Sequence, residues 1–133
     1  MSNETSARFH AGERWRYRAP AGFEASRIVI GAVFCFSDRE PLIACAVTGA
    51  PRLLPDRTID TVTIPFLPIT GSALADSVIE LDGTEEPPAD FAAAFQEWSE
   101  DDRGLVAFTV PFEGRLDLMI ARQMAVLVGG AAA

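Results

Sequence analysis

Lysine does not occur in this 133-residue chain, and all 11 basic residues are arginine. That removes the amine nucleophile and the Schiff-base lysine from the available chemistry. Arginine codons are GC-rich, so the bias reads first as genome composition. Histidine occurs once, at position 10. One imidazole cannot build a multi-histidine metal site and no Cys/His spacing suits zinc, so no metal is expected. The two cysteines, Cys35 and Cys45, are too few for the disulfide framework of a small secreted domain. No apolar stretch opens the chain, which argues against a signal peptide. The uncharged apolar run at residues 28–36 has nine residues, far short of the roughly 20 that cross a bilayer as a helix. Positive charge is scarce as well: 11 bases stand against 19 acids, for a net charge of −8 and a pI near 4.5. Such a chain repels nucleic-acid phosphates and anionic lipid surfaces. It therefore reads as cytoplasmic, with neither a nucleic-acid nor a membrane partner. Its glycine-containing segments, Gly49-Ala50-Pro51 and Gly129-Gly130 among them, match neither a P-loop nor a dinucleotide fingerprint, so no cofactor is expected.

What is present is globular. Apolar residues make up 49% and charged residues 23%, enough to bury a core without metal or disulfide staples. No repeat or linker divides the chain, so residues 1–133 read as one domain, with mobile tails at 1–8 and 129–133.

Along the chain, residues 13–18 alternate strictly. Arg14, Arg16 and Arg18 point one way and Trp15 and Tyr17 the other, as in a half-buried strand. Residues 28–36 are β-branched or aromatic on both faces and suit a central strand. Residues 42–48 form another apolar strand. Residues 58–64 alternate weakly and stop at Pro65, as an edge strand would. Thr70 then offers an N-cap; Leu74, Val78 and Leu81 follow at helical spacing, and Gly83 is placed to end that helix. Pro87-Pro88 opens a second helix with Phe91, Phe95 and Trp98 on one face. Residues 105–112 read as a fifth strand. A third helix follows with the apolar stripe Leu116, Ile120, Met124 and Leu127. The order is β-β-β-β-α-α-β-α. Short links between the first four strands favour antiparallel pairing. The fold class is α+β: a curved antiparallel sheet or partly open β-barrel with about three helices.

Charge is unevenly spread. Five of the 11 arginines fall within residues 8–27, and ten of the 19 acids within 76–102. Two such faces attract each other, within the fold or between two copies. The polar turn between the second and third strands, centred near Arg39-Glu40, would set Cys35 opposite Cys45 as two reduced, buried thiols.

Each candidate for chemistry has a plainer reading. His10 as a general base needs an orienting partner, and its polar segment suits a solvated ring. Cys35 and Cys45 lie in apolar strands, where a thiol is not activated. The acidic pairs Glu85-Glu86, Glu100-Asp101-Asp102 and Asp38 with Glu40 could serve a hydrolase, but acid–base work needs carboxyls in an apolar cleft. Trp15 and Tyr17 among three arginines could stack on a nucleobase, yet the alternation sends them into the core. Phe91, Phe95 and Trp98 pack a core before they line a ligand box.

Several motifs carry a likeness. They are Phe9-x-x-Gly12-x-x-Trp15-x-Tyr17 with Ser26-Arg27-Ile28-x-Ile30, and Ile64-Pro65-x-x-Pro68-Ile69-Thr70-x-x-Ala73-Leu74-x-x-Ser77-Val78. The third is Phe91-x-x-x-Phe95-x-x-Trp98 with Gly104-x-x-x-Phe108-Thr109-x-Pro111. Together they resemble a family of small uncharacterised proteobacterial proteins. The resemblance implies one compact domain and carries over no catalytic residue. Members often hold a histidine just before the first proline of the middle motif, where this chain has Ile64.

Three functional readings result. The first is a non-enzymatic cytoplasmic domain acting through protein–protein contact, as a homo-oligomer. The second is a small-molecule binding module with the concave face of the sheet as its pocket. The third is a hydrolase using acidic residues. Catalytic residues stay unassigned in all three.

Overall fold

The computed structural model describes residues 9–102 and 105–132; the tail expected at 1–8 lies outside these. The elements are β1 (Glu13–Tyr17), β2 (Arg27–Phe34), β3 (Leu42–Leu53), β4 (Ile59–Thr70), α1 (Gly71–Ser77), β5 (Val78–Thr84), α2 (Phe91–Ser99) and α3 (Leu116–Ala132). Five strands form one sheet in the order β4-β3-β2-β1-β5. Every neighbouring pair is antiparallel, and the sheet stays open rather than closing into a barrel. The α+β class read from the sequence is the one observed.

Alternation builds the two faces of the sheet. Trp15 and Tyr17 of β1 are buried while Arg14 and Arg16 lie on the opposite side. Ile28 and Ile30 of β2, with Ile43, Cys45 and Val47 of β3, join the same core, to which β4 adds Ile64, Leu67 and Ile69. Phe9, Leu74 of α1, Phe112 and Met119 of α3 fill this inner face, so the side expected to offer a ligand pocket is occupied by side chains.

The outer face is thinner. Ala32, Ala44 and Ala46 form a flat seat on which Phe91 of α2 packs. Gly31 is required there: a Cβ at that position would stand 2.2 Å from Phe91 Cζ. Phe34, Phe66, Phe91, Phe95 and Trp98 make one aromatic cluster with centroids 5.5–6.2 Å apart, within the range of favourable ring pairing. Trp98 Nε1 donates to the Val106 carbonyl at 2.7 Å and ties α2 to the segment that follows.

Several segments differ from expectation. The fourth strand does not stop at Pro65 but runs to Thr70, because an edge strand tolerates a residue without an N–H donor. The helix opened by Thr70, whose Oγ1 accepts from Ala73 N at 3.3 Å, ends at Ser77 rather than Gly83. Val78–Thr84 instead forms the fifth strand and pairs with β1. Helical spacing of Leu74, Val78 and Leu81 competes with a strand pattern in which Ile79 and Leu81 alternate with the acids Glu80 and Asp82. Strand pairing offered Glu80 and Asp82 arginine partners that a helix would have left in solvent. Residues 105–112, expected as the fifth strand, do not form one, since Val78–Thr84 takes the place beside β1. Among the described residues only Phe108 makes a bridge, parallel to Ile69, with Phe108 N donating to Pro68 O and Thr70 N to Phe108 O, both at 2.9 Å. The backbone of α3 also stays helical past Gly129, to Ala132.

Ser77 is fully buried and bonded twice. Its Oγ donates to Ala73 O at 2.7 Å and accepts from Phe112 N at 2.8 Å. Removing it leaves a buried amide unsatisfied, which costs about 1–3 kcal/mol. Ser77→Ala is therefore expected to lower unfolding free energy by about that much in urea titration. A change within about 0.5 kcal/mol, the range of ordinary surface substitutions, would contradict this role.

Candidate interaction surface

Helix α3 meets the body through Leu116, Met119 and Gln123. Met119 is buried and Leu116 half-buried. Gln123 Oε1 accepts from Thr109 N at 2.7 Å, while its Nε2 donates to Thr109 Oγ1 at 3.1 Å. These spacings place the three residues on one side of the helix. The other large apolar residues of α3 as far as Leu127, namely Leu118, Ile120, Met124, Val126 and Leu127, are each between 46% and 58% exposed. The stripe Leu116, Ile120, Met124 and Leu127 was expected to face the core; only Leu116 does. Burial of Phe112 and Met119 and the Gln123–Thr109 bonds set the helix rotation, and that rotation turns the other three outward. The signal in the sequence was a helix apolar on nearly every side, with Gln123 as its one uncharged polar residue.

The face is electrically quiet. Arg115 pairs with Asp117, and Arg122 with Glu113. The hydrogen bond from Arg115 holds the Asp117 carboxyl below its usual range. From Gln123 to Ala132 no residue is charged. Beside the start of α3 lies a cavity of about 410 Å³, lined by Pro51, Leu53, Val62, Ile64, Pro65 and Leu116 together with Arg52, Thr63 and Asp117. Arg52 is occupied by a two-point pair with Asp60, at 3.1 and 2.9 Å. Leu53 and its cross-strand partner Ile59 are both about half exposed at the end of the β3–β4 hairpin.

The other edge of the sheet carries the charge. Arg27 Nε lies 2.6 Å from Asp82 Oδ2, Arg14 lies 3.5 Å from Asp82 and 3.3 Å from Glu85, and Arg16 pairs with Glu80. The attraction expected between the two charged regions is thus formed within the chain, between β1, β2 and β5. Arg27's hydrogen bond, with help from the charges of Arg14 and Arg16, holds the Asp82 carboxyl below its usual range.

The remaining candidates do not converge. His10 is exposed, with Nδ1 3.4 Å from Glu13 Oε2. Cys45 is buried, its thiol donates to Leu67 O at 3.2 Å, and burial pushes its pKa up to about 12. Cys35, expected to be buried opposite it, is exposed. The last β2–β3 pair is Phe34↔Leu42, so the turn takes residues 35–41 and Cys45 pairs with Ile30. A register shift beside Gly31 moves the pairing further from the simple hairpin. The acids are dispersed: Glu85 pairs with Arg14, Glu100 accepts from Gln96, and Glu40 accepts from Ser72 N at 2.8 Å. The carboxyls of Glu24, Asp56, Asp82 and Asp117 are all shifted down, by hydrogen bonds to their charged forms. A hydrolytic general acid requires the opposite. No group of three or more potential metal ligands is found among the described residues, and no helix is long and apolar enough to cross a membrane. Comparison with protein-family models, curated proteins and solved structures finds no match for this chain.

Because Asp82 has its pKa depressed on folding, its stabilising effect is complete above the unfolded carboxylate value of about 3.9. It is lost as pH falls through the lower, folded value. Asp82→Asn should therefore flatten the acid limb of the stability–pH curve below pH ~4 in urea midpoints. An acid limb identical to that of the parent would show that the β1–β5 network does not carry this dependence.

Proposed function

We propose that this chain is a non-enzymatic protein-contact domain that self-associates through the outward face of α3. The observation that carries the reading is the rotation of the helix: a glutamine faces the body, and Ile120, Met124 and Leu127 face outward. Contiguous apolar surface of this kind marks interaction sites on proteins.

Charge does not itself draw a second copy; it limits where one can dock. At −8, two copies repel over most of their surface. The α3 face, with its ion pairs closed internally, is where that repulsion is least. Removing the exposed halves of the three large apolar side chains of that face, Ile120, Met124 and Leu127, is worth roughly 1 kcal/mol each. Counted for both copies, that is comparable to the roughly 4–15 kcal/mol that association costs. The balance supports a reversible dimer whose population follows concentration. The exposed, unpaired Cys35 suits a reducing, cytoplasmic setting. A hydrolase gains no support from carboxylates shifted downward, nor does a ligand pocket on the inner sheet face, which Phe9, Leu74, Phe112 and Met119 fill.

Light scattering over a dilution series reaching ~1 mM tests this. The mass should rise from that of the 14.3 kDa chain towards twice that value with concentration. Ile120→Glu, at an exposed site that leaves the fold intact by circular dichroism, should hold it at the monomer. A parent chain monomeric throughout would overturn the proposal, as would association that survives Ile120→Glu.

A further inference from the structure

Past the end of β2 the β3–β4 hairpin runs on alone. The β2–β3 pairing ends there at Arg27↔Thr48, whereas β3 and β4 stay paired out to Leu53↔Ile59. The cavity of about 410 Å³ lies between this arm and the start of α3. Its apolar walls are Pro51, Leu53, Val62, Ile64 and Pro65 of the hairpin and Leu116 of α3. Phe9, Leu74, Phe112 and Met119, which fill the inner face of the sheet, are not among them. The volume lies within the roughly 300–1,000 Å³ of small-molecule sites. The walls are also stiff. Two are proline rings, and the turn into α3 packs close by: a Cβ on Gly114 would stand 2.4 Å from Pro20 Cδ and 3.6 Å from Pro51 Cγ. A space held open in this way asks little ordering of the protein when a guest enters.

The lining selects the guest by charge. Arg52 is closed onto Asp60, and Asp117 onto Arg115. A carboxylate or phosphate would compete with Asp60 for Arg52, and an amine would have to draw Asp117 from Arg115. An uncharged guest opens neither pair. Among the described residues no buried side-chain nitrogen or oxygen lacks a hydrogen-bond partner, so the wall demands no polar group at depth. Thr63 is the uncharged polar residue of the lining, and it is exposed. Its hydroxyl can donate and accept one bond at the mouth. No lining residue is aromatic, so the site offers a ring no stacking partner and suits a flexible chain. We infer that this cavity binds an uncharged aliphatic molecule whose single hydroxyl, carbonyl or ester group stays beside Thr63. Every wall comes from one chain, so the site stands apart from the dimer reading.

Amide chemical shifts of the isotope-labelled chain, titrated with octan-1-ol, test this. The shifts should saturate and concentrate at residues 52–53, 62–64 and 116–117. Hexan-1-ol, two methylenes shorter, should bind about tenfold more weakly. Octanoate at neutral pH should also fall at least about tenfold behind octan-1-ol, because its charge must leave water without a free partner. Val62→Trp, which fills the cavity, should abolish the shifts. Leu53→Asn, at a half-exposed position where folding is not at risk, should weaken binding severalfold. Ile120→Glu should bind octan-1-ol like the parent, which keeps this test separate from that of the dimer. Shifts that do not saturate, or that fall on Ile120, Met124 and Leu127 instead, would overturn the inference. So would octanoate binding as tightly as octan-1-ol, or loss of binding in Ile120→Glu. Affinity unchanged within about twofold in Leu53→Asn, or in a Val62→Trp chain folded by circular dichroism, would overturn it as well.

Discussion

A single buried hydroxyl decides where the second half of this chain can go. Ser77 Oγ closes the last turn of α1 onto Ala73 and takes the amide of Phe112, while Ser77 O accepts from Arg18 N at 3.0 Å. Three segments distant in sequence are thereby fixed at one point inside the protein: the end of β1, the α1–β5 junction and the segment leading to α3. A buried hydroxyl with fewer partners would be a cost. With its bonds made, it orients its neighbours. The strand direction of β5 follows from it, as does the seating of Phe112 in the core beside Tyr17, with ring centroids 5.2 Å apart. From Phe112 the chain has only a few residues before α3 begins, so the anchor also bears on which side of α3 meets the sheet.

The two edges of the sheet are treated differently. At the β1–β5 edge, acids are matched by Arg14, Arg16 and Arg27, and an acidic protein gains a patch of local balance. At the β4 edge, Pro65 and Pro68 lie within the strand and Phe108 bridges to Ile69. Both features blunt strand-to-strand association there. What that side presents instead is α3 and the end of the β3–β4 hairpin, surfaces that are apolar and nearly free of net charge.

The parts of this fold that show in the sequence are those where one requirement dominates. The alternation of β1 admits only one arrangement, aromatics in and arginines out, and the structure has it. The capping threonine at 70 and the aromatic spacing of α2 are read with equal ease. Errors arose where two requirements compete. Leu74, Val78 and Leu81 satisfy helical spacing, while Ile79 and Leu81 alternate with Glu80 and Asp82 as in a strand, and the arginines 55 to 68 positions earlier that favour the strand are invisible to a local reading. Cys35 and Cys45 were set opposite each other by counting through a hairpin, but a register shift near Gly31 and a seven-residue turn change the count. The packing reason for that glycine, Phe91, lies 60 residues away. The helix α3 is apolar on too many sides for its inward face to be chosen from spacing alone. Its rotation depends on the anchors Phe112, Met119 and the Gln123–Thr109 pair.

The central claim is that the outward face of α3 is covered when two copies meet. Hydrogen–deuterium exchange followed by mass spectrometry at two protein concentrations, one in the tens of micromolar and one near ~1 mM, addresses that face directly. Amides of α3 should exchange more slowly at the higher concentration, while those of β1 and β5 on the opposite edge stay unchanged. Exchange in α3 that is fast and independent of concentration would contradict the account.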